Sequence, residues 1–161
     1  MGFLKSTKGS KISDYFYLQG GDSPLQTGVT YDLALYDDNV VIKNPISSSE
    51  ASLEYKQIID VFHGYKTEVA QKSKSPIGRA LAGGILFGGA GAVVGAISGV
   101  GNKEKKDTKL YLIISYTDNK GKDATIVFED KRRYKGKKIA QMLKELCGIG
   151  THDISGGNIA L

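Results

Sequence analysis

The feature that most constrains this chain is an uncharged apolar segment, ALAGGILFGGAGAVVGAISGVG, which runs from Ala80 to Gly101 in a sequence of 161 residues. Eight of its twenty-two residues are glycine. A helix of this length would be about 33 Å long, enough for the hydrocarbon core of a bilayer, which is about 30 Å thick. The segment therefore has to be explained as a membrane span, an assembly element or part of a folded core.

A single membrane crossing is disfavoured because strand-like sequence both precedes and follows the segment. If Leu53–Val69 and Leu110–Phe128 belong to one sheet, a single crossing would place them on opposite sides of the membrane. Lys and Arg residues also flank the two ends equally, so they do not orient the segment. We expect instead a turn near Gly88–Gly89 that joins two helices, each too short to span.

The expected helical hairpin has small faces and bulky faces. Gly91, Gly95 and Gly99 recur at every fourth residue, a spacing that lets two helix backbones approach closely. Three arrangements are open: copies pack together in a homo-oligomer, the tip enters a membrane interface, or the hairpin packs on its own domain. The homo-oligomer is favoured, since a soluble monomer should not expose a contiguous apolar hairpin. The expected contact residues are Leu81, Gly84, Ile85, Gly88, Gly91, Val93, Gly95, Ile97 and Gly99.

The rest of the chain has the alternating pattern of β-strands and ends in one amphipathic helix. Val29–Val69 alternates apolar and polar residues, with a tight turn at Asp37–Asn39 and a bulge or turn expected at His63–Gly64. Leu110–Phe128 predicts a hairpin whose first strand is apolar on both faces. The helix is indicated by one apolar stripe that stops at Gly148. The stripe consists of Ile139, Met142, Leu143, Leu146 and Cys147.

Two stretches need separate predictions. Leu53, Tyr55, Gln57, Ile59 and Val61 alternate regularly and predict one face of a single strand. The aromatic group Tyr15–Tyr17 stands in a polar, glycine-rich N-terminal stretch, where it could add a strand or lie in an arm.

The strands and helix, in this order, resemble a known family. GVTYDLALYDDNVVIKN, SLEYKQIIDVFHGYKTEV, KLYLIISYTDNKGKDATIVFED and the closing helix are similar to the bacterial pleckstrin-homology-like (GRAM-like) domains, which also carry a Gly/Ala-rich apolar insertion. The resemblance covers residues 28–147. It implies a mainly β fold, a bent sheet or barrel capped by the C-terminal helix, with an inserted glycine-rich helical hairpin. It also implies a family without catalytic residues, whose ligands are lipids, peptides or partner proteins.

The chain is accordingly expected to divide into an N-terminal arm, one domain and a tail. The arm covers residues 1–27, the domain residues 28–148 and the tail residues 149–161. The glycine-zipper hairpin is inserted in the domain at residues 77–101.

A basic run forms the second candidate site. Six of the eight residues from 131 to 138 are cationic: Lys131, Arg132, Arg133, Lys135, Lys137 and Lys138. Cations at a helix N-terminus oppose the helix dipole, which weakens the interpretation of the run as a solvated helix face. It suits an anionic membrane surface or a small anionic ligand, and nucleic acid is disfavoured because no nucleic-acid-binding motif accompanies it. The alternative is an ordinary solvated surface.

The residue pattern gives little support to catalysis. The two histidines, His63 and His152, are far apart and lack ligand spacing, so no metal or other cofactor is expected. The single cysteine, Cys147, lies in the helix stripe and fits a reducing, cytoplasmic location, peripheral at a membrane if the basic run binds one. We therefore expect no enzyme. The favoured function is a non-catalytic scaffold that self-assembles through the hairpin at a membrane surface. The alternative is a soluble ligand- or protein-binding accessory factor, bacterial or from a phage, that uses clefts between the barrel and its basic helix.

Overall fold

Seven antiparallel strands and one helix form the part of the chain described by this computed structural model, residues 9–65 and 109–149. The first four strands are β1 (Ile12–Gly21), β2 (Thr30–Leu35), β3 (Asn39–Lys43) and β4 (Glu50–Glu54). A 3-10 turn (Tyr55–Gln57) leads into β5 (Ile58–Tyr65), and β6 (Leu110–Thr117) and β7 (Asp123–Glu129) follow. Helix α1 (Gly136–Cys147) closes the described chain.

All seven strands belong to one sheet in the order β4-β3-β2-β1-β7-β6-β5. β1 pairs with β2 on one side and with β7 on the other, so it joins the two halves of the sheet. The register along β1 shifts between Leu18 and Gly20, which increases the local twist of the strand. This is the mainly β architecture with a C-terminal helix that the sequence predicts.

The core lies on one face of the bent sheet and under the helix. Alternate residues of each strand supply it, for example Phe16 and Leu18 of β1 and Leu112 and Ile114 of β6. Ile139 and Leu143 of α1 reach the same cluster and are fully buried. The helix therefore caps the apolar interior as its stripe indicates, and Met142, Leu146 and Cys147 pack at the margin.

Helix α1 ends where the sequence predicts. Gly148 adopts the left-handed conformation (φ 72°) that glycine takes without a steric penalty. The Ile149 N–H then donates to the Lys144 carbonyl at 2.8 Å, which satisfies one of the last free carbonyls of the helix.

The single strand predicted over Leu53–Val61 is wrong, because the structure divides it in two. The Glu54 carboxylate accepts a bond from the Gln57 backbone, and the Gln57 side chain accepts one from the Glu54 N–H at 3.0 Å. This capping box stabilises a 3-10 turn, after which Ile58 is one position out of phase. The irregularity between Ile58 and Asp60 then restores the predicted alternation, so that Val61 is buried in the core. Ile58 is buried where the alternation indicated Ile59.

The bulge predicted at His63–Gly64 is also wrong. Those residues pair regularly with Leu112 and Tyr111, and the irregularity of β5 lies between Ile58 and Asp60.

The N-terminal arm expected over residues 1–27 needs the same correction over Ile12–Gly21. These residues form β1, the middle strand of the sheet, in which Ile12–Tyr17 pair with β2 and Tyr17–Gly21 pair with β7. The hairpin expected at residues 77–101 lies outside the described residues, as does the tail from residue 150 onward. Within the described ranges, no helix has both the length and the apolarity that a membrane crossing requires.

The sheet register predicts that the glycine-rich insertion can be removed. β5 ends at Tyr65 and β6 begins at Leu110, and these two residues are directly paired. With a short Gly/Ser linker in place of Ile77–Val100, the shortened connection still has to bridge only Tyr65 and Leu110, which lie side by side, and shortening a loop changes its closure entropy only slowly. We expect the shortened protein to keep its β-sheet circular dichroism and a cooperative melt. Loss of both would show that the segment is part of the core.

Candidate functional site

The basic run lies at one end of the sheet, in the connection from β7 to α1. Lys131–Lys135 form the connection, and Lys137 and Lys138 lie in the first turn of the helix. The Asp130 N–H donates to the Leu110 carbonyl at 2.8 Å, which fixes the start of this connection beside the start of β6. The basic connection, the end of β5 and the start of β6 therefore lie at the same end of the sheet.

A buried carboxylate on β1 holds the basic connection in place. Asp14 is only 3% exposed. Its Oδ1 lies 3.0 Å from the Arg132 guanidinium and accepts the Tyr15 N–H, while its Oδ2 accepts the Lys135 N–H at 3.1 Å. Because a buried carboxylate without partners is costly, these donors and Asp14 stabilise each other.

A second buried carboxylate, Asp130, holds the other side. Its Oδ1 accepts the Arg133 N–H at 2.9 Å, and its Oδ2 lies 2.9 Å from His63 Nε2. Gly136 packs directly against this pair, and a Cβ at that position would overlap the Asp130 carboxylate. Glycine is therefore required at the first residue of α1 by space rather than by backbone conformation.

Tyrosine rings alternate with cations on the outer side of this connection. Lys131 Nζ lies 3.9 Å from the centre of the Tyr17 ring. The Arg132 guanidinium lies 5.6 Å from the Tyr15 ring and 5.8 Å from the Tyr134 ring. Cation–π contacts of this kind attract each charged group to the face of a ring. Tyr15 is 41% exposed and Tyr134 is 69% exposed. We call these residues, Tyr15, Tyr17 and Lys131–Lys138, the tyrosine–cation surface.

The structure gives the six predicted cations different roles. Lys131, Lys137 and Lys138 are exposed, and Lys135 is half-buried. Arg132 is half-exposed, and the Asp14 carboxylate beside it offsets its charge. Arg133 adopts a left-handed backbone conformation (φ 54°), and its N–H donates to the Asp130 carboxylate.

Three residues that position the basic run were not identified from the sequence: Asp14, His63 and Asp130. Asp14 and Lys135 are 121 positions apart, so no local pattern connects them. Asp130 directly precedes the run, and this acid is the only local sequence signal of a residue that positions the basic run.

A separate cleft of about 540 Å³ opens elsewhere on the sheet, between the β1–β2 loop, β4 and the β6–β7 turn. Apolar side chains line much of it, including Leu25, Leu53 and Ile126, and the set contains no residue of α1. This cleft is therefore not the one expected between the barrel and the basic helix. Among the charged residues at the cleft, Asp118 accepts N–H bonds from Lys122 and Lys120, which hold the pKa of its carboxyl below its ordinary value.

Within residues 9–65 and 109–149, no group of His, Cys, Asp and Glu could hold a metal ion. Burial raises the pKa of the Cys147 thiol to about 11, so little of the reactive thiolate forms near neutral pH. The nine residues expected at an oligomer contact, from Leu81 to Gly99, lie outside the described residues.

Comparison with protein families gives one match. The model of a family described as "Glycine zipper containing PH domain" matches residues 24–130, which is about two thirds of the chain. The match spans β2 to β7 and the glycine-rich insertion between β5 and β6. No curated protein sequence matched the chain.

The contacts of Asp14 predict its contribution to stability. Replacing it in Asp14→Ala leaves the Lys135 N–H and the Arg132 guanidinium without their acceptor. We expect a loss of about 1–3 kcal/mol in the free energy of unfolding, measured by urea denaturation. Asp38→Ala, which removes an exposed carboxylate in the β2–β3 turn, is the matched control. Equal stabilities of the two variants would contradict the positioning role of Asp14.

Proposed function

This chain belongs to the family of glycine zipper-containing PH domains, and from that premise we propose that it is a non-catalytic scaffold that self-assembles through its glycine-rich segment at a membrane surface. We further propose a cytoplasmic location and kinship with the bacterial GRAM-like domains, on the resemblance described above. The family match supports a PH-like domain with a glycine zipper. The self-assembly and the membrane surface are the parts that experiment has to test.

The observation that carries the proposal is the direct pairing of Tyr65 with Leu110. A segment that leaves the sheet after Tyr65 has to return to the same place, which favours a hairpin over a single membrane crossing. In a hairpin, Gly91, Gly95 and Gly99 fall on one face and permit close helix contact. Glycine in a helix costs about 1 kcal/mol per residue relative to alanine, so close packing is needed to offset it.

The membrane surface is supported by the position of the tyrosine–cation surface. It lies at the end of the sheet from which the glycine-rich segment leaves, since Asp130 is bonded to Leu110. Lysines at a membrane attract anionic headgroups, and tyrosines favour the boundary between headgroups and hydrocarbon. A hairpin tip that enters the bilayer would thus bring exposed cations and the rings of Tyr15 and Tyr134 to the headgroups.

The absence of catalysis is supported by the engagement of two of the buried acids. Asp14 and Asp130 both accept bonds from the basic connection, which leaves them as structural groups. Cys147 lies at the margin of the core with a raised pKa rather than in a polar site.

One observation favours a second candidate function. The cleft of about 540 Å³ is large enough for a small ligand or for side chains of a partner protein. A binding or sequestering accessory factor would use this cleft and would not need self-assembly. The mass of the protein in solution separates the two candidates.

We expect the protein to be a homo-oligomer in detergent-free buffer, measured by size-exclusion chromatography with light scattering. Gly95→Leu should split or misassemble it, because the larger side chain prevents close helix approach. Gly101→Leu, at the end of the segment and off the four-residue repeat, is the control and should preserve the mass. A wild-type monomer that stays soluble at high concentration would overturn self-assembly and leave the cleft-binding candidate.

We also expect binding to vesicles that contain phosphatidylserine, measured by cosedimentation, and none to vesicles of phosphatidylcholine alone. The triple variant Lys131→Gln, Lys137→Gln, Lys138→Gln should weaken binding roughly 100-fold, since each lysine near an anionic surface contributes about 1 kcal/mol. Arg132 is left unchanged because it stabilises the fold through Asp14. High salt should weaken binding, as the Debye length falls from about 10 Å at 0.1 M to about 3 Å at 1 M.

The matched control is Lys56→Gln, Lys120→Gln, Lys122→Gln, which removes the same charge from exposed positions outside the tyrosine–cation surface. Equal loss in both variants, or equal binding to both vesicle types, would contradict a membrane role for the surface.

A further inference from the structure

The sheet has a second apolar row, on the face opposite the core. Phe62 of β5 pairs with Ile113 of β6, and Ile113 pairs with Val127 of β7, so the three side chains lie side by side across three strands. Tyr111 lies in the neighbouring row of the same face. We call Phe62, Tyr111, Ile113 and Val127 the outer row.

The outer row is buried although it is not part of the core cluster. Ile113 and Val127 are 0% exposed, Tyr111 is 4% exposed and Phe62 is 6% exposed. Their sequence neighbours, such as Leu112 and Ile126, point to the other face and belong to the core cluster. Helix α1 packs on that other face through Ile139 and Leu143, so the outer row is covered from a different direction.

The chain itself supplies a segment of suitable chemistry at this place. Residues 66–108 leave the described structure after Tyr65, three residues beyond Phe62, and return at Lys109, two residues before Tyr111. Both ends of the segment therefore lie beside the outer row. Within it, Ile77, Leu81 and Ile85 form one bulky stripe, and Val93, Ile97 and Val100 form another.

Burial of apolar surface stabilises by about 25 cal/mol per Å². The uncharged segment is connected at both ends to the strands that carry the outer row, so its packing on that row is favourable. The chain that connects the segment to Tyr65 and Lys109 is short, so it gives the segment a high effective concentration at the outer row. A second copy of the protein lacks this connection.

We propose that the outer row is the docking face for the glycine-rich segment of the same chain, which packs its bulky residues on Phe62, Ile113 and Val127. The small faces, with Gly91, Gly95 and Gly99, then point away from the sheet and meet a second copy. This second step rests on the self-assembly proposed above, whereas the docking on the outer row does not.

Disulfide trapping in the full-length chain tests the docking. In a Cys147→Ala background, Phe62→Cys is combined in turn with Leu81→Cys, Ile85→Cys, Val93→Cys or Ile97→Cys, and each protein is oxidised and run on a non-reducing gel. We expect at least one pair to form a bond within one chain, visible as a faster monomer band that reductant removes. A disulfide requires Cα atoms within about 7 Å, so such a bond reports close contact. Ser52→Cys on β4, combined with the same four positions, should give no such band.

Dimer bands alone would show that a second copy occupies the outer row, and no bond in any pair would show that the segment lies elsewhere. Either result overturns the proposal. Circular dichroism of each variant before oxidation shows that it is folded. The mass of the unoxidised proteins is measured in parallel. A monomer that forms the internal bond supports docking without self-assembly, and an oligomer that forms none supports self-assembly without docking.

Discussion

The structure depends on β1, whose first part pairs with β2 and whose second part pairs with β7. Without β1, strands β2–β4 and β5–β7 would be separate sheets, because no other pairing joins them in the described part of the chain. Phe16 and Leu18 on its inner side connect the apolar interior of both halves. Asp14 on the same strand fixes the basic connection. One strand thus sets both the continuity of the core and the position of the candidate site.

Several elements could be predicted from local sequence because their physical cause is local. β2, β3, β6 and β7 follow from alternation and tight turns, and α1 follows from its apolar stripe and Gly148. β1 could not be predicted with equal force, since its short aromatic group stands in a polar, glycine-rich stretch, and its strand partners β2 and β7 are not visible in the local sequence. The division of Leu53–Val61 was missed because alternation alone does not reveal the capping box of Glu54 and Gln57.

The candidate site was predictable in charge but not in arrangement. The cationic run from Lys131 to Lys138 is visible in the sequence, and its place before a helix was foreseen. The separate role of Arg132 was not foreseen, because Asp14 is distant in sequence and lies beside Arg132 only when β1 pairs with β7. The apolar outer face of β6 was foreseen as a pattern, and the register with Phe62 and Val127 turns that pattern into a continuous row.

The long insertion between β5 and β6 has a consequence for the order of folding. β6 and β7 are joined by a short turn in which Asp118 binds two backbone N–H groups, so their pairing closes a small loop. β5 and β6 instead close a loop of 44 residues, from Tyr65 to Leu110. Compared with a turn of about four residues, this adds about 2 kcal/mol of closure entropy to the step that pairs them. β5 is therefore expected to join a sheet edge that β6 and β7 have already formed. During synthesis, the apolar segment leaves the ribosome before β6 and β7 have been made. Until those strands form, the segment is exposed, and the chain is most prone to aggregation in this interval.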